Sequence, residues 1–318
     1  MAINPNLQSG MKIAALAGGV GAARLLEGLQ HWVAPADLTV IVNTGDDFCW
    51  MGLHVSPDLD TIMYALAGVA NPASGWGIRD DSFRCIQRLE ELGEEAWFAV
   101  GDLDLATHIL RTERLRSGQT LSQVSRELAA AHGVRAAILP MTDSPAPTMM
   151  QTVEGTLAFQ EYFVRRKCRP QITGIDFRGA GSARPAPGVL EALAGADAIL
   201  ICPSNPFISI GPVLAVQGLR DAIRESRATV LAVTPIIAGR SVKGPAADMM
   251  RDLGLEVSAL GVARIYADLA DTFVLDTQDG HLRDSIEALD MRVRLLDTLM
   301  DSRERRLRCA RQVLEALA

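Results

Sequence analysis

The feature that most constrains the fold is a strand, a glycine-rich turn, a helix and a second strand near the start of the chain. Residues 12–17 are a short apolar run that ends in Gly18-Gly19-Val20-Gly21, and a helical stretch follows over 22–32. Residues 38–43 form the next strand, which is too apolar to keep one face in water. This βαβ unit predicts an α/β fold with a parallel sheet and right-handed crossovers.

The same alternation returns later in the chain. Buried strands are predicted at 196–202 and 229–234, with a helix over 217–226 between them, and weaker strands at 136–139 and 272–275. Further helical patterns lie at 58–68, 79–92, 104–132, 244–253 and 301–318. The whole pattern predicts a Rossmann-like parallel sheet core with an added, mainly helical lobe.

We expect one α/β domain over 12–318, preceded by a tail over 1–11. The helical lobe is predicted over about 58–135, and a β-like insertion over about 148–185. The charged helix at 301–318 carries Leu307, Ala310, Leu314 and Leu317 near one face, which indicates a terminal cap or a dimer contact.

Composition and charge limit the partners. The chain has 31 basic and 38 acidic side chains, which gives a net charge of −7. Non-specific electrostatic binding to nucleic acid or to an anionic membrane is therefore not expected. No apolar run approaches the ~20 residues of a membrane span, and the first ten residues do not resemble a signal peptide. The 5 cysteines form no C-x-x-C pair, which is typical of reduced cytosolic thiols. We therefore expect a cytoplasmic protein that binds small molecules.

The glycine turn is the first candidate binding element. Glycines at a strand-to-helix turn let backbone N–H groups approach an anion, and the helix start adds partial positive charge. A dinucleotide fingerprint would need glycine or alanine where Arg24 stands, and no G-K-[ST] follows. We expect the turn to face a phosphate or nucleotide without either motif; the alternative is a tight turn that binds nothing.

Carboxylates follow the second strand, in Asn43-Thr44-Gly45-Asp46-Asp47. Ligands of open parallel sheets lie outside the carboxyl ends of the strands, so these side chains should lie beside the glycine turn. Asp46 and Asp47 offer the hard oxygen atoms that suit Mg²⁺ held jointly by protein and substrate phosphates. A solvated acidic turn is the alternative.

A helix start follows, in which Ser56 is the expected N-cap and Pro57 the first helical residue. The helix dipole explains Asp58 in the first turn. It does not explain Asp60, which we assign to function. Because the cap is already complete, the sequence predicts that Asp60→Ala costs little stability.

Another acidic segment, Gly101-Asp102-Leu103-Asp104, follows a short strand predicted over 96–100. Helix capping for Asp104 and simple packing for His108 are the alternatives to a role in the site.

Two later loops follow buried strands and should complete one cleft at the carboxyl edge of the sheet. They supply prolines, hydroxyls and an amide, with Arg240 and Lys243 as charges for phosphate. The candidate binding positions in these loops are Ser204, Asn205, Pro206, Gly211, Thr234, Gly239 and Arg240. Ordinary loops that bind nothing are the alternative. No G-x-S-x-G and no metal-spaced His/Cys set occurs, so nucleophilic hydrolysis and zinc chemistry have no support.

The order of the motifs resembles that of a known family. From about residue 12 onward the chain resembles the CofD family, the 2-phospho-L-lactate transferases that build the deazaflavin coenzyme F-420. The motifs are GGVGAARLL (18–26), IVNTGDD (41–47), SPDLDT (56–61), GWGIRDD (75–81), GDLDLATHI (101–109), LPMTD (139–143), PSNPFISIGP (203–212) and TPIIAGRSVKGPA (234–246).

The resemblance implies transfer of a phospho-acid group from a guanosine diphospho-acid donor to the ribityl hydroxyl of the 8-hydroxy-5-deazaflavin precursor FO, with release of GMP. It implies Mg²⁺, with Mn²⁺ as a substitute, bound by Asp46, Asp47 and Asp60, and catalytic roles for Asp47 and Asp60. Asp60 matches a family position that contacts FO or helps to order the metal and the attacking hydroxyl. The turn at 18–21 and the two later loops would hold the guanosine diphosphate half, and a homodimer is the family's assembly.

Two departures from the family pattern concern the acceptor: Leu103 replaces the arginine of G-D-R-D, and Ala99 stands where some members carry a basic residue. The GGVGAAR turn is similar to the bacterial branch, whose members can use a phosphoenolpyruvate-derived donor; lactate- and glycerate-derived donors stay open. A regulatory, nucleotide-sugar-binding relative of the gluconeogenesis-factor type is the main alternative, against which SPDLDT and GWGIRDD argue. A nicotinamide oxidoreductase is disfavoured by Arg24.

Overall fold

A parallel sheet of seven strands forms the centre of the protein. The computed structural model describes residues 10–317, so positions 1–9 of the predicted tail lie outside the described residues. The strands, numbered along the chain, are β1 (Ile13–Ala17), β2 (Leu38–Val42), β3 (Phe48–Trp50), β4 (Leu53–Val55), β5 (Ala137–Pro140), β6 (Thr148–Thr152), β7 (Gly155–Ala158), β8 (Ile172–Phe177), β9 (Ala198–Ile201), β10 (Thr229–Val233), β11 (Ile236–Ile237), β12 (Arg240–Ser241), β13 (Thr272–Asp276) and β14 (Arg292–Leu296).

Helices cover both faces of this sheet and build a lobe beside it. They are α1 (Gly19–Leu29), α2 (Pro57–Leu66), α3 (Arg84–Glu91), α4 (Asp102–Arg116), α5 (Leu121–Ala131), α6 (Val189–Ala194), α7 (Gly211–Ala215), α8 (Leu219–Arg224), α9 (Ala246–Asp252), α10 (Ala259–Ile265), α11 (Arg283–Glu287) and α12 (Arg303–Leu317). Within residues 10–317, none of them combines the length and the apolar composition that crossing a bilayer requires.

β9 and β1 are neighbours at the centre of the sheet, whose order is β14–β13–β10–β9–β1–β2–β5. Leu16 on β1 is level with Ile41 on β2 and with Ile201 on β9. Ala15 and Val40 belong to the apolar core on one face, and Leu16 and Ile41 to the core on the other. A sheet that is covered on both faces needs strands that are apolar along their whole length. The central strands were predicted from these continuous apolar runs.

The strand order creates a crevice at the carboxyl ends of β1 and β9. The chain passes outward from β1 to β2 and β5, and later returns to β9 on the other side of β1. Such a reversal is where open α/β sheets bind ligands. The predicted Rossmann-like core is confirmed.

The segment predicted as a helical lobe contains α2 to α5, with two corrections. The helix predicted over 104–132 is two helices, because a capping box starts α5: Thr120 Oγ1 accepts from the N–H of Gln123, whose Oε1 accepts from the N–H of Thr120. The strand predicted over 96–100 is wrong. Trp97 and Phe98 pack there as aromatic side chains, with ring centroids 5.8 Å apart, in backbone without regular structure.

The segment 148–185 contains a three-stranded antiparallel sheet in the order β7–β6–β8. At the end of the chain α12 packs on α1, where it buries Ala310, Leu314 and Leu317. Trp32 Nε1 donates to the carbonyl of Leu307 (3.1 Å), which also ties the two helices together. The apolar face predicted for this helix is therefore used within the chain.

Candidate active site

A cavity of about 630 Å³ opens at the carboxyl ends of the central strands. Its wall takes Gly18 from the loop after β1, Asp46 from the loop after β2, Ser204 from the loop after β9 and Thr234 from the loop after β10. The structure thus brings together the loops that the sequence singled out. A cavity of this size holds a small molecule or a cofactor.

The glycine turn lies in the cavity wall and is already helical, since α1 begins at Gly19 and not at residue 22. Gly18 donates its N–H to Ser204 Oγ (3.2 Å), and the Ser204 hydroxyl donates to the Gly18 carbonyl (2.8 Å). A Cβ atom on Gly18 would lie 2.5 Å from Asp58 Oδ2, and one on Gly21 would collide with the Pro203 carbonyl. Close packing therefore requires these glycines, and it also places the start of α1 at the cavity.

Two carboxylates in the wall share one amide, and we call Asp46 and Asp58 the acid pair. Asn43 Nδ2 donates to Asp46 Oδ1 (3.2 Å) and to Asp58 Oδ2 (2.9 Å). Gln160 Nε2 donates to the other oxygen of Asp46 (3.2 Å). The two acids are 6% and 7% exposed, and none of the ion pairs formed within residues 10–317 involves either of them.

Burial raises the pKa of Asp46 well above its usual value, and the charges of Asp58 and Asp47 add to this effect. Burial also raises the pKa of Asp58 to about 7, against the hydrogen bond from Asn43. Two buried carboxylates that share one hydrogen-bond donor ionise together only when a cation compensates their charge. The acid pair is therefore suited to hold a proton or a cation, and its oxygen atoms fit Mg²⁺.

Asp47, predicted to be a metal ligand, is not part of the cavity lining. Its Oδ2 accepts from Ser56 Oγ (2.7 Å) and lies 3.0 Å from His54 Nε2, and its Oδ1 is buried without a hydrogen-bond partner within the described residues. Burial raises the pKa of Asp47, which the hydrogen bond from His54 opposes. Ser56 precedes α2 and Pro57 is its first residue, as predicted, but the Ser56 hydroxyl makes no cap bond. Ser56 is the N-cap residue, as predicted, and its hydroxyl is used on Asp47.

Asp60 lies in the cavity wall within a second buried group, which we call the ion-pair cluster (Asp60, Tyr64, Asp104, His108 and Arg111). Both oxygens of Asp60 accept from Arg111, through Nη1 to Oδ2 (3.0 Å) and through Nη2 to Oδ1. His108 lies between the two acids, with Nδ1 3.6 Å from Asp60 and Nε2 3.6 Å from Asp104. Tyr64 Oη donates to Asp104 Oδ1 (2.7 Å). Asp104 and His108 thus have more than the capping and packing roles left open by the sequence.

The ion-pair cluster contains its own positive charge. Burial acts to raise the pKa of Asp104, but the nearby His108, the hydrogen bond from Tyr64 and the charge of Arg111 together outweigh it, and the pKa is lowered. Ligand atoms of Asp60, Asp104 and His108 lie within 4.8 Å of one another, close enough to hold a metal ion. A cation there would compete with Arg111 for the oxygens of Asp60. The acid pair therefore fits a divalent cation better than the ion-pair cluster does.

Aromatic side chains form another part of the wall, the aromatic wall, which comprises Trp76, Trp97, Phe98, Phe159 and Phe163. Phe159 and Phe163 are stacked, with ring centroids 5.4 Å apart and planes 10° apart. Trp76 is 41% exposed and Phe163 is 38% exposed. These faces can accept a planar ring.

The two later loops contribute only part of the set that the sequence predicted. Ser204, Asn205 and Thr234 line the cavity. The positions Pro206, Gly211, Gly239 and Arg240 are absent from the lining formed by residues 10–317.

Two cations also line the cavity, Arg24 on α1 and Lys243 in the loop before α9. Arg24 belongs to no ion pair among the described residues, and its Nε atom is buried without a hydrogen-bond partner. Lys243 Nζ donates to the carbonyl of Ser74.

Sequence reasoning missed Asp58, Asn43 and Gln160 as members of the site. The helix dipole already explained Asp58, and Gln160 comes from the insertion, far from the other residues along the chain. A usable signal was Asn43: an amide that is wholly buried at the end of a buried strand needs acceptors, and here they are the two acids.

Comparison with known proteins identifies relatives over nearly the whole chain. The profile of the family described as "2-phospho-L-lactate transferase CofD" matches residues 13–311. The chain is 41% identical over 290 residues to a 2-phospho-L-lactate transferase of Methanosarcina acetivorans, covering 91% of this chain and 94% of that one. It is 42% identical over 311 residues to a phosphoenolpyruvate transferase of Streptomyces griseus, covering 96% of this chain and 98% of the relative.

Among solved structures, a member of the UPF0052 family from Bacillus halodurans is similar, with a TM-score of 0.63. The match covers 96% of this chain and 98% of the other at 16% identity, so the two proteins share a fold.

Proposed function

The chain belongs to the CofD family of 2-phospho-L-lactate transferases, and we therefore propose that it transfers a phospho-acid group from a guanosine diphospho-acid donor to a ribityl hydroxyl of FO. The hydroxyl oxygen forms a bond to the phosphorus that carries the acid. The bond from that phosphorus to the oxygen of the GMP phosphate breaks, GMP leaves with the bonding electrons, and the hydroxyl proton is released. The reaction belongs to coenzyme F-420 biosynthesis.

The observation that carries this proposal is the acid pair beside the start of α1. Phosphoryl transfer needs little covalent chemistry from a protein; positioning and charge stabilisation supply most of the acceleration. Asp58 lies against Gly18, the last residue before α1, so negative oxygens and helix-start amides meet at one place in the cavity. This combination suits a metal-bound diphosphate.

In this proposal Asp46 and Asp58 hold Mg²⁺ or Mn²⁺, and Asn43 and Gln160 keep their oxygens in place. When bound, the metal neutralises the diphosphate and the charge that develops on the leaving phosphate. Asp47 stays a predicted ligand, through its unpaired Oδ1.

The acceptor half of the cavity is assigned to the aromatic wall and the ion-pair cluster. The flat deazaflavin ring fits against exposed aromatic faces such as those of Trp76 and Phe163. Asp60, fixed by two hydrogen bonds from Arg111, is assigned in this proposal to accept a hydrogen bond from the attacking hydroxyl. A carboxylate held this firmly orients the nucleophile.

The test is incubation of the protein with FO, Mg²⁺ and each of the lactate-, phosphoenolpyruvate- and glycerate-derived guanosine diphospho-acids. We expect GMP and one phospho-acid adduct of FO to form in equal amounts, read by mass spectrometry. A reaction without FO shows whether GMP arises by hydrolysis of the donor.

Formation of GMP alone would contradict FO as the acceptor. Binding of nucleotide with no product from any donor would favour the regulatory alternative. Full activity in excess chelator would contradict the metal mechanism.

A further inference from the structure

Arg24 is a cation in the cavity wall that forms no ion pair with any of the described residues. It lies on α1, one helical turn beyond Val20, which also lines the cavity. Burial lowers the pKa of Arg24, and the nearby charge of Arg306 lowers it further. Its Nε atom is buried with no partner among residues 10–317, so one of its N–H groups lacks an acceptor.

The carboxylates near Arg24 are already engaged with other arginines. Glu27 pairs with Arg306 (2.5 Å), and Asp301 pairs with Arg305 (2.9 Å). Unpaired positive charge therefore remains on the cavity side of α1.

Lys243 adds a second positive charge at the same wall. A Cβ atom on Gly75 would lie 2.5 Å from Val20 Cγ1 and 3.3 Å from Lys243 Nζ, so the Lys243 ammonium lies beside the first turn of α1, one turn from Arg24. In agreement with this placement, burial lowers the pKa of Lys243 and the charge of Arg24 lowers it further. The Lys243 ammonium reaches the loop that carries Trp76 through its bond to the Ser74 carbonyl. Like charges kept together at a cavity wall are stabilised by an anion between them.

We propose that Arg24 and Lys243 form an anion subsite that binds the diphosphate of the nucleotide, opposite the acid pair. The choice of a diphosphate as ligand rests on the proposed function. The start of α1 separates the two charged groups: Asp58 packs against Gly18, and Arg24 lies about one and a half turns further along the same helix. A diphosphate bound at the start of α1 would have the acid pair and its metal on one side. On the other side it would have the guanidinium group of Arg24, whose N–H groups can donate to two phosphate oxygens.

A diphosphate fits this arrangement better than a single carboxylate does. It offers oxygens on two phosphorus atoms, enough for the helix-start amides, a metal and two cations together. A carboxylate has two oxygens, which Arg24 alone would satisfy. This difference separates the two ligands in an experiment.

The test is calorimetric titration of GDP and of GMP, each with Mg²⁺, into the wild type, Arg24→Gln and Lys243→Gln. We expect Arg24→Gln to raise the Kd of GDP by about tenfold or more and to reduce the preference for GDP over GMP. Lys243 is exposed, so Lys243→Gln should raise the Kd by about threefold. The matched controls, Arg184→Gln and Lys12→Gln, remove exposed charges outside the cavity lining and should change the Kd less than twofold.

Arg24→Lys keeps the charge but not the fork, and should recover part of the affinity. The affinity for GDP should also decrease less steeply with increasing salt concentration in Arg24→Gln than in the wild type. A purely structural role of Arg24 would not change this salt dependence. Equal melting temperatures of the variants check that each folds.

Unchanged GDP binding in Arg24→Gln, with a raised KM for the phospho-acid donor, would mean that the subsite holds the donor's carboxylate and would overturn the proposal. A wild type that binds neither GDP nor inorganic pyrophosphate would also overturn it. If GDP binding depends on Arg24 but no FO adduct forms, the proposed function fails while the anion subsite stands.

Discussion

The acid pair and the ion-pair cluster place carboxylates in the same cavity under opposite electrostatic conditions. Asp46 and Asp58 are buried beside each other with only amides as partners, and burial raises the pKa of both. Asp60 and Asp104 are also buried, but Arg111 is paired with Asp60 and His108 lies between the two acids. Burial alone therefore does not decide the charge of a carboxylate here; the neighbouring cation does.

This difference separates two tasks. A carboxylate already paired with arginine keeps its place and its charge, so it can orient a substrate group. A carboxylate pair without a cation must obtain one from solution or stay partly protonated, so it can bind a metal that arrives with the substrate. Four experiments test this division.

The largest expected effect is on stability, from removing the internal cation. Arg111→Met leaves Asp60 and Asp104 buried without the guanidinium, and the free energy of unfolding should fall by about 3–5 kcal/mol. Urea denaturation at pH 7 measures it. Arg114→Met on the same helix breaks a partly exposed pair with Glu127 and should cost about 1 kcal/mol or less. Equal losses in the two variants would refute the view that the cluster depends on its cation.

The acid pair should show the reverse pattern, a loss of activity without a loss of stability. Asp58→Asn keeps the shape and the acceptor for Asn43 but removes a carboxylate, so turnover should fall by about 10²-fold or more. Without metal at pH 8 the variant should be at least as stable as the wild type, because a buried charge is gone. Asp284→Asn, on an exposed first turn, is the matched control. Normal turnover in Asp58→Asn would remove the acid pair from the mechanism.

A smaller effect is expected in the pH dependence of stability. The pKa of Asp58 is about 7 in the folded protein, whereas that of an unperturbed aspartate is 3.8. Between these two pH values the folded state therefore binds more protons than the unfolded state does. Without metal, this group's contribution to stability is therefore greatest below about pH 4 and falls as the pH rises to 7, by at most about 1.4 kcal/mol per pH unit. Urea titrations in chelator at pH 5 to 8 should show this slope in the wild type and a flatter one in Asp58→Asn. An identical slope in both would contradict the raised pKa.

The sequence predicted the central fold because burial on both faces makes β1, β2, β9 and β10 continuously apolar. It did not predict β14 at the sheet edge, where Arg292 and Arg294 are exposed and interrupt the apolar run. Apolar patterning therefore identifies the central strands of a sheet but not its edge strands.

The sequence also predicted which loops meet, because the carboxyl ends of parallel strands share one edge. It could not predict which side chains pair within the cavity. Asp60 and Arg111 lie on different helices, 51 residues apart, and their bidentate ion pair reverses the expectation that Asp60→Ala costs little stability. The helix dipole explained the presence of Asp58 in the first turn of α2. Only the hydrogen bond from Asn43, which Asp58 shares with Asp46, indicates a second role.

The smallest expected effect concerns Asp47, which belongs to neither group. Sequence resemblance assigns it to the metal, whereas the structure places its Oδ2 on His54 and Ser56, outside the cavity lining. An asparagine at this position keeps an oxygen for Ser56, so Asp47→Asn should lower turnover by about tenfold, less than Asp58→Asn does. The Mg²⁺ concentration for half-maximal activity distinguishes the two roles: it should rise strongly in Asp58→Asn and little in Asp47→Asn. An equal rise would mean that the unpaired Oδ1 of Asp47 turns to the metal, and the acid pair would then be a group of three carboxylates.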